Sequence, residues 1–135
     1  MRTIRTDKAP APVQGAPYSQ AVAVTPGEVV FVSGQVPIDP LTGQLIEDDI
    51  RLQTALALRN IAAILAEAGS GLRQVVKTTV YLKDFADFGA MNEIYAQAFS
   101  GHAPARATIG VAALPLGARV EIEAVAVIPS ATAVD

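Results

Sequence analysis

Arg119-Val-Glu-Ile-Glu-Ala-Val-Ala-Val-Ile128 is the stretch on which the fold turns. In a strand successive side chains face opposite ways, so Val120, Ile122, Ala124 and Ala126 line one side, and Arg119, Glu121, Glu123 and Val125 the other. The first set suits a helix-covered core. Just upstream, Ala105 to Ala113 and the turn signal Leu114-Pro-Leu-Gly117 predict that this strand closes a hairpin. Before that, Asp84 and Asp87 form a capping pair, and Phe88, Met91, Tyr95 and Ala98 recur at helical spacing as far as Phe99.

Gln74 to Lys83 reads as a strand, with Val76, Thr78, Val80 and Leu82 facing away from Val75, Lys77, Thr79 and Tyr81. Between Asp48 or Asp49, either of which can cap, and Gly69 lies a long helix. Its apolar stripe is Ile50, Thr54, Ala57, Leu58, Ile61, Leu65 and Ala68. Val36 to Gly43 carries two prolines and a turn glycine and is expected as an ordered loop. Gln20 to Thr25 and Glu28 to Ser33, parted by Pro26-Gly27, predict another hairpin. Residues 1–16, rich in proline towards their end, read as an extended arm, and 129–135 as a loose tail. The order strand, strand, helix, strand, helix, strand, strand implies an α+β domain: one mixed sheet with both helices on a single face.

With 135 residues, 51% of them hydrophobic and 17% charged, the chain is expected to form one globular domain spanning 1–135. A net charge of -3 makes nucleic acid an improbable partner, though a local basic patch stays open. The absence of cysteine excludes disulfides, thiol nucleophiles and Cys-ligated metals. No apolar run reaches membrane-spanning length and the charged N-terminus is unlike a signal peptide, so a cytoplasmic location is expected. Charge is too scarce for a wholly wetted second sheet face, which predicts a self-associating oligomer with sites in its crevices.

Pro104-Ala-Arg-Ala-Thr108 followed by Val120-Glu-Ile-Glu123 carries the chemistry. Arg106 offers a planar fork for an anion, and a nearby Glu can orient or deprotonate water. The ordinary alternative is a cross-strand ion pair between them. His102 is expected as a loop residue, because one His without Cys builds no recognisable metal site. Gly69-Ser-Gly71 has no phosphate-loop spacing and no Lys, and stops a helix. Phe88, Met91, Tyr95 and Phe99 read as core. Asn92 either holds a loop or points into a cleft, and the hydroxyls of Tyr18 and Ser33 either bind ligand or satisfy backbone.

Gly15-Ala-Pro-Tyr-Ser-Gln20, Val32-Ser-Gly-Gln-Val-Pro-Ile-Asp-Pro-Leu-Thr-Gly43, Gln53–Asn60, Val76–Asp84, Pro104-Ala-Arg106 and Val120-Glu-Ile-Glu-Ala124 together closely resemble the Rid family, the YjgF-type reactive intermediate deaminases. The resemblance runs from about Ala9 to Val127. It implies a chorismate-mutase-like α+β subunit in a homotrimer, with ligand sites between subunits. It further implies cofactor-free, metal-free hydrolysis of 2-imino acids such as 2-iminobutanoate and 2-iminopropanoate, or their enamine tautomers, to 2-keto acids and ammonia. Arg106 matches the carboxylate clamp and Glu121 the carboxylate that places water. Tyr18, Ser33, Gly34 and Asn92 match the pocket lining, joined by Thr108, which stands where several members carry cysteine. Glu121 is distinguished from Glu123 by motif match alone. A non-enzymatic carboxylate-binding or chaperone-like trimer is the main alternative, and an endoribonuclease or translation inhibitor the weaker one.

Overall fold

A computed structural model of the chain describes residues 1–25, 27–47 and 49–129. Along the chain come β1 (Arg2–Ile4), β2 (Ala21–Ala23), β3 (Glu28–Gln35), β4 (Ile38–Asp39), β5 (Gln44–Leu45), α1 (Ile50–Glu67), β6 (Val75–Leu82), α2 (Phe88–Ala98), β7 (Ala105–Gly110) and β8 (Val120–Ile128). The principal sheet has the order β3-β8-β6-β7. β8 runs antiparallel to β3 and β6, and β6 runs parallel to β7. Strands β3, β6 and β7 therefore share one direction, and α1 and α2 are the crossovers between them. Both crossovers step the same way along the sheet, so the right-handed rule puts both helices on one face.

The expected alternation of the last strand is present: Val120, Ile122, Ala124 and Ala126 are buried beneath the helices. They meet Ile50, Ala57, Leu58, Ile61 and Leu65 of α1 and Met91 and Tyr95 of α2 in one core. Asp49 caps α1 by accepting from the Leu52 N–H at 3.0 Å, and Gly69 ends it with φ +83°, a conformation that costs glycine nothing. Asp48, the other candidate cap, lies outside the described residues.

Neither expected hairpin forms. β6 lies between β7 and β8, so the turn at Pro115–Gly117 carries the chain over a strand, not back beside its predecessor. β2 pairs with β1, leaving β3 to pair with the nine-residue β8, a longer partner with an apolar face to bury. Pro26 lies outside the described residues, as do 130–135 of the expected tail. The N-terminal arm is thus partly strand, and two-residue strands β4 and β5 pair within and just beyond the expected Val36–Gly43 loop. In β6 a register shift between Val75 and Lys77 puts Val75 into the core in place of Val76. Asp84 accepts from the Ala86 N–H at 2.9 Å to start the turn before α2, whereas Asp87 caps nothing. It instead receives Arg119 Nη2 at 2.8 Å and Nε at 3.2 Å, tying the start of α2 to the start of β8.

The sheet face away from the helices carries Val29, Phe31 and Ile109, which are 43%, 78% and 45% exposed. Among the described residues no helix is long and apolar enough to cross a membrane.

Candidate functional site

Arg106 stands on β7 opposite Thr78 of β6, and Thr78 stands opposite Ala124 of β8. Paired residues share a face, so Arg106 points to the helix side, at the edge where α2 overhangs the sheet. Its Nη1 donates to Asn92 Oδ1 at 2.6 Å, and the guanidinium carbon lies 4.8 Å from the ring centre of Tyr95, 5.7 Å from Phe88 and 5.6 Å from Tyr18. One amide acceptor and three aromatic faces thus orient the fork while leaving its other donors for a ligand. Burial lowers the Arg106 pKa from its ordinary value, partly offset by Tyr95 and Tyr18. Among the described residues no acidic side chain pairs with it: its hydrogen-bond partner is Asn92, and Glu93 at the pocket rim is bound to Arg51 at 2.9 Å.

The pocket in front of Arg106 has a volume of about 730 Å³, within the range of small-molecule sites. Tyr18, Asn92, Arg106 and Thr108 all line it, together with Phe88, Val13 and Gly15 to Pro17. The Tyr18 hydroxyl accepts from the Val13 N–H at 3.3 Å, closing that segment into a loop. Ser19 docks its end: the Ser19 N–H donates to the Pro104 carbonyl at 3.2 Å and the hydroxyl to the Ala103 carbonyl at 2.5 Å. Thr108 Oγ1 is buried and has no hydrogen-bond partner among the described residues. Below Arg106, burial pushes Tyr95 up to about 12, and its hydroxyl shares a 2.7 Å bond with Thr78 Oγ1.

Ser33, Gly34 and Glu121 lie elsewhere. Glu121 stands opposite Tyr81, one residue out of phase with Thr78, and so projects from the open face. Its carboxylate lies over Gly34, where a Cβ would come within 2.8 Å of Glu121 Cδ and closer still to Oε2. A side chain there would displace the Glu121 carboxylate. Both Gly34 and Ser33 are exposed, at the register shift between Val32 and Gln35. Glu123, on the same face, accepts from the Tyr81 hydroxyl at 2.6 Å, which raises the Tyr81 pKa. Glu121 accepts no hydrogen bond among the described residues.

The ordinary reading of an Arg106–Glu ion pair is therefore wrong for this chain, because β6 separates the two strands and the side chains face apart. Of its two readings Asn92 takes the second: it points into the cleft, where it orients Arg106 and holds no loop backbone. His102 is a loop residue whose Nε2 lies 2.6 Å from the Val75 carbonyl. Sequence reasoning assigned Phe88 and Tyr95 to the core alone and missed them as the surface under Arg106. The signal was present, since Phe88, Asn92 and Tyr95 at steps of four and three share one side of α2.

Comparison with known proteins agrees with this architecture. The family model described as Endoribonuclease L-PSP matches residues 6–128. The chain is 51% identical over 126 residues to the 2-iminobutanoate/2-iminopropanoate deaminase of Mus musculus, covering 93% of this chain and 90% of that one. It is 50% identical over 123 residues to a RutC family protein of Pyrococcus abyssi, covering 91% and 94%. The crystal structure of E. coli TdcF with bound serine superimposes with a TM-score of 0.71 at 39% identity, covering 94% of this chain and 98% of that one. The mixed sheet under two helices, the matched family model and these relatives establish that the chain belongs to the Rid (YjgF, L-PSP) family.

Proposed function

We propose that the protein hydrolyses 2-imino acids, or their enamine tautomers, to 2-keto acids and ammonia at sites formed between copies of the chain. The observation that carries this reading is Arg106: a half-buried cation, held by Asn92 and facing a pocket whose lining carboxylate, Glu93, is paired with Arg51 instead. Such a fork takes a carboxylate bidentately. Relatives about half identical to this chain bear the name 2-iminobutanoate/2-iminopropanoate deaminase, and serine, an amino acid, is bound in TdcF.

Arg106 and Glu121 cannot reach one ligand within a single chain. A second copy laid against the Arg106 edge by its open sheet face brings its own Glu121, Ser33 and Gly34 to the pocket, and covers the exposed Phe31. The homotrimer of the family is the arrangement we assign. The substrate carboxylate sits on Arg106, beside the unpartnered Thr108 hydroxyl. Glu121 of the neighbouring copy, free where Glu123 is held by Tyr81, orients a water and takes its proton as oxygen bonds to the imine carbon. Protonated Glu121 returns that proton to nitrogen, giving the amino alcohol; the carboxylate then takes the hydroxyl proton and passes it to nitrogen as the C–N bond breaks and the C=O forms. Water is consumed, ammonia leaves, and no electrons change hands. No cofactor enters the scheme.

An oxidase acting on an amino acid generates the imine in situ, and semicarbazide traps what survives. Wild type should lower the trapped imine product and Arg106→Ala should not. Tight keto-acid binding without clearance would favour a binding protein instead. RNA cleavage lost on Arg106→Ala would favour the nuclease reading, which the net charge of -3 and the engaged His102 do not support.

A further inference from the structure

Phe85 is 51% exposed, yet it is held in place. Its ring stacks on Phe88 with centroids 5.1 Å apart and planes 15° apart, and the end of β7 lies beneath it: a Cβ added to Gly110 would touch Phe85 Cδ1 at 3.5 Å. Phe88 in turn stands under the Arg106 guanidinium. A continuous apolar path therefore leads outward from the carboxylate clamp, along Phe88 to Phe85, with Val13 and Pro17 also lining the pocket. Val13 is itself 69% exposed. Exposed apolar side chains mark either a contact between proteins or a ligand groove, and here their continuity with the Arg106 anchor in one pocket favours the groove.

A three-carbon imino acid anchored on Arg106 reaches none of the outer part of this path. We infer that Phe85 and Val13 form a side-chain subsite, and that the enzyme prefers 2-imino acids bearing a branched or aromatic apolar side chain over 2-iminopropanoate. The inference rests on the deaminase reading of Arg106. Removing an apolar contact from such a subsite changes discrimination about tenfold or more.

Imines generated from leucine and from alanine, cleared in parallel, give the ratio of their kcat/KM values. Wild type should favour the leucine-derived imine, Phe85→Ala should lower the ratio about tenfold, and Phe85→Leu should keep most of it. A ratio untouched by Phe85→Ala, whether both rates fall together or neither does, overturns the subsite, as does a wild-type preference for the alanine-derived imine. Binding of 4-methyl-2-oxopentanoate against pyruvate, read by titration calorimetry, separates the two levels. If wild type clears no imine, the deaminase reading falls. A preference for the larger keto acid that Phe85→Ala erases still upholds the subsite, and no preference refutes it.

Discussion

Arg106 and Glu121 project from opposite faces of one sheet, with β6 between their strands. The cation lies against α2 and its aromatic rings, whereas the carboxylate lies over Gly34 on the open side. A reaction that needs both must draw them from different copies of the chain.

Two inactive variants should therefore rescue each other. Arg106→Ala and Glu121→Ala are each expected to be inactive alone. Co-expressed in equal amounts as a cyclic oligomer, they should recover about a quarter of wild-type activity, because one interface in four pairs an intact Arg106 with an intact Glu121. Imine clearance by the purified mixture measures this. No recovery in verified mixed oligomers would refute the shared site.

Asn92→Ala should raise KM about tenfold or more while kcat changes little. A hydrogen bond to a charged group contributes ~1.5–3 kcal/mol, and its loss frees Arg106 to swing from the pocket. Asn92→Asp should raise KM further, since a carboxylate beside Arg106 competes with that of the substrate. Steady-state kinetics against one imine separates the two parameters.

Gly34→Ala should affect catalysis more than stability. The added methyl meets the flexible end of the Glu121 side chain, which can rotate away, so the melting temperature should move by only a few degrees, about 1 kcal/mol in a domain of this size. The displaced carboxylate no longer orients water, so kcat should fall at least about tenfold. Equal kcat values for wild type and variant would remove Glu121 from the mechanism.

Tyr95→Phe should destabilise the fold by ~1–3 kcal/mol, leaving the buried Thr78 hydroxyl without its partner, and Thr78→Val in the same chain should restore part of the loss. Burial raises the Tyr95 pKa from 10.0 to about 12, so the unfolded chain ionises first as pH rises. The associated stability is complete below pH 10.0 and declines as pH rises towards about 12. Urea midpoints across this interval should fall for wild type more steeply than for Tyr95→Phe.

The local order of elements was legible from the residues. Asp49, the apolar stripe of α1 and Gly69 specify one helix through interactions no more than a turn away. The alternation in β8 assigns Val120, Ile122, Ala124 and Ala126 to the core, because a sheet with one covered face admits no other phase. Motif resemblance named Arg106, Asn92, Tyr18 and Thr108, which the fold gathers around one pocket.

Strand partners were decided at longer range. Proline and glycine between two β-rich segments signal a turn but not which strand lies alongside afterwards, and β8 is inserted between β3 and β6 from the far end of the chain. The shift at Val75 in β6 reflects fit to β8, not anything in its own alternation. Sequence thus determined the local conformations, the buried faces and the residue types of the site. Only the tertiary structure decided that Arg106 and Glu121 face apart and that Asn92, Phe88 and Tyr95 hold the cation, because sidedness follows from pairing across strands distant in sequence.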